Sequence, residues 1–204
     1  MKPSVSDIFP SFSTRFEGRV NFMYLDIKKL VTTGIGNLID PFPLAQNLPW
    51  QPKAEPDRAA TADEIAAEWN LVKSDPGGRS QRGGGSFGAV TTLQLSDDAI
   101  DALVRQKLTG MANFLVNRPE FASFEDWPAD AQLGLLSMAW AMGPGFKFPN
   151  FQAACADQDF RAAADQCHMA DESNPGLRPR NAANKQLFLS AADGSLNPDE
   201  VHLQ

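Results

Sequence analysis

The chain has 204 residues, 43% hydrophobic and 21% charged, the composition of one globular domain, and this excludes disorder and collagen-like repetition. Eighteen Lys and Arg stand against 25 Asp and Glu, a formal net charge of -7, which argues against nucleic acid or an anionic lipid surface as partner. The longest apolar runs, such as 133 to 142, fall far short of the roughly 20 residues that span a bilayer, so no membrane insertion is expected.

The first 13 residues carry one Lys and no apolar core, so they do not read as a secretory signal. Ile8, Phe12 and Phe16 recur at helical spacing behind Ser6 and Asp7, with Gly18 as a natural stop. This predicts a short amphipathic helix over 7–17 with Glu17 in its last turn. From 21 to 38 the character changes. Phe22, Met23, Tyr24, Leu25, Ile27, Val31, Thr32, Thr33 and Ile35 favour strands, punctuated by Lys28, Lys29 and two glycines, and predict a hairpin or small three-stranded sheet.

Pro41, Pro43, Pro49, Pro52 and Pro56 forbid regular structure over most of 40–58 and predict a surface loop, pinned by Trp50. Thr61-Ala-Asp-Glu64 is a capping-box pattern ahead of Ile65, Trp69 and Val72, opening a helix of about three turns. The glycine-rich stretch 75–88 reads as a flexible loop, because it lacks the Gly-Lys-Ser/Thr ending of a phosphate-binding loop. Ser96 is placed to cap a long amphipathic helix running to about residue 117 through Ile100, Val104, Leu108, Met111 and Leu115. Residues 128–141 are apolar nearly all round, as in a buried helix, with Met138 and Trp140 in the core and Gly143-Pro144-Gly145 as its end. A short helical pair over 150–156 and 159–167 and a last helix over 179–192 complete an α+β arrangement, mostly helical with one small early sheet.

Two histidines, His168 and His202, and two cysteines, Cys155 and Cys167, make neither an ordinary zinc site nor a disulfide framework, so no metal is expected; whether the two cysteines join stays open. Gly34-Ile35-Gly36 lacks the third glycine of a dinucleotide fingerprint, and no Gly-x-Ser-x-Gly elbow is present. Carboxylates remain as the available catalysts. Glu17 at a helix end and Asp26 beside a strand lie nine residues apart, a separation that a helix-to-hairpin turn would fold onto two sides of one cleft. Carboxylates flanking a cleft are the machinery of glycoside hydrolysis, although spacing alone does not single out one pair among 25 acidic residues.

Phe16-Glu17-Gly18, Tyr24-Leu25-Asp26 and Thr32-Thr33-Gly34-Ile35-Gly36-Asn37-Leu38 together resemble the catalytic segment of phage-type lysozymes, glycoside hydrolase family 24 with its pesticin-like toxin relatives. The match needs no gap, and it continues through 131–145 and 174–188, so it covers almost the whole chain. The resemblance implies a single lysozyme-like domain: a lobe with the sheet and an insertion over about 18–95, a connecting helix over about 96–117, and a helical lobe over about 118–204 joined by the helix at 7–17. It implies Glu17 as general acid, Asp26 as the carboxylate that activates or orients water, and Thr32 as the hydroxyl that helps position that water. Gly34, Gly36, Asn37, Leu38 and Arg180 would contact substrate, the two glycines by letting the sugar chain approach the backbone. Glu17 is expected to face apolar Phe16 and Phe22, Arg19, Lys28 and Lys29 to offset the local acidity, and Arg178 and Arg180, ahead of the last helix, to approach Glu17 or carboxylates of the substrate. Trp50 and Trp69 are open as sugar platforms.

The implied activity is that of a muramidase, cleaving the β-1,4 bond between N-acetylmuramic acid and N-acetylglucosamine of peptidoglycan with inversion, without metal or cofactor. The implied setting is the lytic module of a bacterial antagonistic effector or a phage product, a monomer delivered to the periplasm or cell wall of target bacteria without its own signal, with an inhibitor protein as a further partner. Three departures stand out: Asn37 replaces the family's histidine, Ala141 an Asn common among members, and 40–95 is expanded. Two other readings stay open, a peptidoglycan- or partner-binding module without turnover, and a lytic transglycosylase, which would need no water-positioning carboxylate.

Overall fold

The computed structural model describes residues 1–26, 28–172 and 174–203. The fold is α+β and mostly helical, with a small three-stranded antiparallel sheet near the N-terminus and a helical C-terminal part. Two compact units divide the chain, one of Met1–Phe16 with Arg105–Gln204, the other Glu17–Val104.

In the second unit, β1 (Val20–Leu25), β2 (Val31–Gly34) and β3 (Asn37–Leu38) form the sheet in that order. Tyr24 pairs with Thr32 and Thr32 with Leu38, while the register shifts between Val20 and Tyr24. Strand side chains alternate between faces. Met23, Leu25, Val31 and Thr33 are buried on one side; Phe22 and Tyr24 alternate with them and are half-buried. Ile27, counted among the strand formers, lies outside the described residues. The proline-rich stretch holds more regular structure than the sequence predicts: a one-turn helix α2 (Pro43–Gln46), entered through proline, and β4 (Gln51–Pro52), which pairs with β5 (Leu93–Gln94). Trp50 pins this segment as expected, buried with its indole N–H donating to Ala45 O at 2.9 Å.

The helix α3 (Ala62–Ser74) opens on the full capping box, Thr61 and Glu64 each serving the other's backbone N–H. Its Glu68 is buried, and the carboxylate accepts from the amides of Thr92 and Leu93, which fastens the helix to β5. The glycine-rich stretch is not a flexible loop. It forms two 3-10 turns, Arg79–Arg82 and Gly84–Ala89, laid on β1 so closely that a Cβ on Gly84 would come within 2.5 Å of the Tyr24 ring and one on Gly88 within 3.1 Å of Phe22. The helix α4 (Asp97–Leu115) starts where Ser96 predicts, with Ser96 Oγ accepting from the Ala99 amide at 3.2 Å, and its buried Ile100, Val104, Leu108, Met111 and Leu115 keep helical spacing. The boundary between the units falls within it.

The first unit is helical. The helix α1 (Pro3–Glu17) starts a turn earlier than predicted, since Pro3 suits a first helical position. Its Val5, Phe9 and Phe12 are buried, and Phe9 meets Trp140 at 5.1 Å. The helix α5 (Ala129–Met142) is buried at every position from Ala129 to Trp140. Behind it come α6 (Pro149–Ala156), α7 (Phe160–Gln166), capped by Asp159, and α8 (Leu177–Ala191), which packs on α5 with the Phe188 ring against Gly134. Because α8 begins at Leu177, Arg178 and Arg180 lie in its first turn instead of ahead of it. Cys155 and Cys167 are both buried and free. Among the described residues, no helix is long and apolar enough to cross a membrane.

Candidate active site

Glu17 is the last residue of α1, and Gly18 ends the helix with φ 72, a left-handed conformation that glycine adopts without strain. The Glu17 side chain is exposed, not shielded by Phe16 and Phe22 as the sequence suggested. Asp26 follows β1 and organises the turn to β2. Its Oδ1 accepts from the amides of Lys28 at 2.8 Å and Leu30 at 2.9 Å, and its own amide donates to Leu30 O at 3.0 Å. Asp26 is an intrinsic turn former for this reason: its short carboxylate substitutes for backbone acceptors.

Thr32 is buried on β2, and its hydroxyl donates to the same Leu30 carbonyl at 3.2 Å. Asp26 and Thr32 are thus joined through one residue, with the second carboxylate oxygen of Asp26 outside the hydrogen bonds of the turn. Tyr24, the chain's one tyrosine, shares a sheet face with Thr32 as its cross-strand neighbour. Burial pushes its phenol up to about 12, and the charges of Asp26 and then Glu17 push in the same direction. Both carboxylates therefore act on one neutral phenol. Tyr24 was not picked out from the sequence, although its place two residues before Asp26 in a strand pattern puts the two on one face.

Gly34, the last residue of β2, and Gly36, in the turn to β3, both have positive φ, 63 and 71. Gly34 is also held by crowding: a Cβ there would lie 2.9 Å from Asn37 Oδ1 and 3.3 Å from Ile100 Cγ2. A Cβ on Gly36 would meet nothing within 4 Å. Asn37 is buried, and its Oδ1 accepts from the Ile35 amide at 3.1 Å, so the side chain locks the turn. Leu38 is 50% exposed beside Thr32, an apolar surface on the edge strand.

Arg180 belongs to the first unit. It is buried, its Nη1 donates to Ser137 O at 3.0 Å, and its guanidinium lies 4.9 Å from the Phe16 ring centroid. Arg178 is exposed and pairs with Asp171 at 3.6 Å. Arg19, expected to offset Glu17 and Asp26, pairs with Asp101 at 2.7 Å and Asp97 at 3.0 Å on α4. Trp69 gives its N–H to Ile39 O at 3.0 Å and stacks edge-on with Phe42. Among the described residues no group of three His, Cys, Asp or Glu side chains is placed to hold a metal ion. No protein-family model matches the sequence, and no curated protein does.

Proposed function

We propose that this chain is a lysozyme-like glycoside hydrolase, a muramidase that cleaves the β-1,4 bond between N-acetylmuramic acid and N-acetylglucosamine. The observation that carries the reading is the order of groups about β1: Glu17 ends α1 ahead of the strand, and Asp26 follows it in a turn whose Leu30 carbonyl also accepts from the buried Thr32 hydroxyl. In the proposed reaction, protonated Glu17 donates to the glycosidic oxygen as the bond from that oxygen to the anomeric carbon breaks. Water on the opposite face gives a proton to Asp26 while its oxygen bonds to the anomeric carbon, and the configuration inverts. The turn amides on Asp26 Oδ1 fix the carboxylate and leave Oδ2 as the base, and the Thr32 hydroxyl orients the water without adding charge. No metal or cofactor takes part. The chain acts on peptidoglycan in the periplasm or wall of target bacteria, as a monomeric lytic module of an effector or phage product, with an inhibitor protein as its second partner.

The test is to incubate purified peptidoglycan with the wild type and with Glu17→Gln and to read the fragments by mass spectrometry. Reducing muramic ends are expected from the wild type, with turnover lower by about 10²–10⁴-fold in the variant, the usual share of a general acid. Anhydro ends would make the protein a transglycosylase. Absence of fragments, with both proteins still pelleting with the wall, would replace the enzyme by a binding module.

A further inference from the structure

The glycine-rich segment is too well built for a linker. Asp75, which caps α3 in a left-handed conformation, accepts from the Arg79 amide at 2.6 Å and from the Ser80 hydroxyl at 2.6 Å; the Ser86 hydroxyl donates to Arg79 O at 2.9 Å. The segment is tied to the candidate site at two points. Gly84 lies on the Tyr24 ring, and Lys29, in the turn that Asp26 organises, donates through Nζ to Ser80 Oγ.

This scaffold brings two cations to one place. Arg79 Nη1 is so near Gly77 that a Cβ there would lie 2.7 Å from it, and Arg82 Nη2 sits 3.4 Å from Gly77 O. Among the described residues neither guanidinium has a carboxylate partner, since Asp75 is taken up by the segment's amides, Ser80 and Lys29. Two guanidinia set beside one glycine are placed to hold an oxyanion from two sides. Planar guanidinium groups match the two oxygens of a carboxylate. The chain's net charge of -7 gives no general attraction for a dense polyanion, so the recognition is local.

We propose that Arg79 and Arg82 form an anion-binding fork at the rim of the candidate site and that it takes carboxylates of the peptide stems carried by the glycan. This rests on peptidoglycan as the substrate. It gives the expanded segment a task, the choice of wall with free stem carboxylates over bare or amidated glycan.

The experiment measures binding rather than turnover, in the Glu17→Gln background, by pelleting with purified peptidoglycan in its native form and with the stem carboxyls amidated. Arg79→Gln with Arg82→Gln is expected to weaken binding to the native wall about 3–10-fold, as for two charge contacts at a solvated surface. Amidation is expected to bring the parent to that level and to leave the double variant unchanged. Arg161→Gln, which removes one exposed charge from the other unit, is expected to change nothing. Arg82→Gln alone, at an exposed position, should show part of the loss and guards against misfolding of the double variant. Equal losses from Arg161→Gln, insensitivity of the parent to amidation, unchanged binding in the double variant, or no pelleting of the parent would each overturn the fork. Failure of the muramidase reading shows separately, as absent fragments with the pelleting pattern intact.

Discussion

The two units are held together by different physics. In the helical unit, α5 is buried on all sides, and Trp127, fully buried, meets Phe160 at 5.4 Å, Phe124 at 5.7 Å and Phe121 at 6.1 Å. Apolar volume does the work there. The sheet unit has strands of two to six residues and relies on single polar side chains: Asp26, Asn37 and Asp75 close turns, and the buried Glu68 ties α3 to β5. Hydrophobic burial is non-directional, whereas a hydrogen-bonded turn fixes angles. The candidate carboxylates therefore lie in the unit whose local geometry is specified residue by residue, and the unit built on volume contributes stability.

This contrast can be broken at either end. The largest expected effect is in the aromatic cluster: Trp127→Ala should cost about 3–5 kcal/mol in urea unfolding, the usual loss for truncating a buried large aromatic. A loss below about 1 kcal/mol would mean that the cluster collapses around the gap and that volume is not what holds this unit. Next comes Gly84→Ala. A methyl group there would stand 2.5 Å from Tyr24 Cδ2 and 2.9 Å from Cε2, so the 3-10 turn or the ring must shift, with an expected cost of about 1–3 kcal/mol by the same measurement. An unchanged midpoint would show that the glycine-rich segment does not bear on the sheet.

The same contrast explains what the sequence revealed. The helices α3 and α5 were legible nearly to the residue from different traces, α3 from its capping box and α5 from a run apolar on all sides. The three-stranded sheet was legible from its strand formers, and so was the place of Glu17 at the helix end before it, Asp26 after its first strand and Thr32 on its second. What escaped were contacts between segments distant in the chain. Nothing in Gln51–Pro52 or Leu93–Gln94 announces a strand, since two-residue pairs have no periodicity, and proline argues against one. The glycines at 84 and 88 look like flexibility in the sequence, and only the rings of Tyr24 and Phe22 above them explain the missing side chains. Asn37 reads in the sequence as a substrate contact, yet it is buried and accepts from the Ile35 amide, a turn lock that a list of residue types cannot show.

The smallest effect tests the charges around Tyr24 without any substrate. A phenol whose midpoint rises from an ordinary value of about 10 to about 12 on folding favours the native state while it stays protonated. That contribution is fully present below pH about 10 and is lost as pH climbs through about 12, because the unfolded chain gives up its proton first. Two units correspond to about 2.7 kcal/mol, and partial exposure to solvent reduces this to about 1–2 kcal/mol. Tyr24→Phe should flatten the fall of stability over this window by that amount. Since Tyr24 is the one tyrosine, tyrosinate absorbance reports its titration directly. Burial contributes most to the shift, so Asp26→Asn and Glu17→Gln should each lower the midpoint only in part, Asp26→Asn by more, in the order in which the two charges act on the phenol. If Glu17→Gln left the midpoint untouched, the Glu17 charge would not reach the Tyr24 phenol, and burial with Asp26 would account for the whole rise.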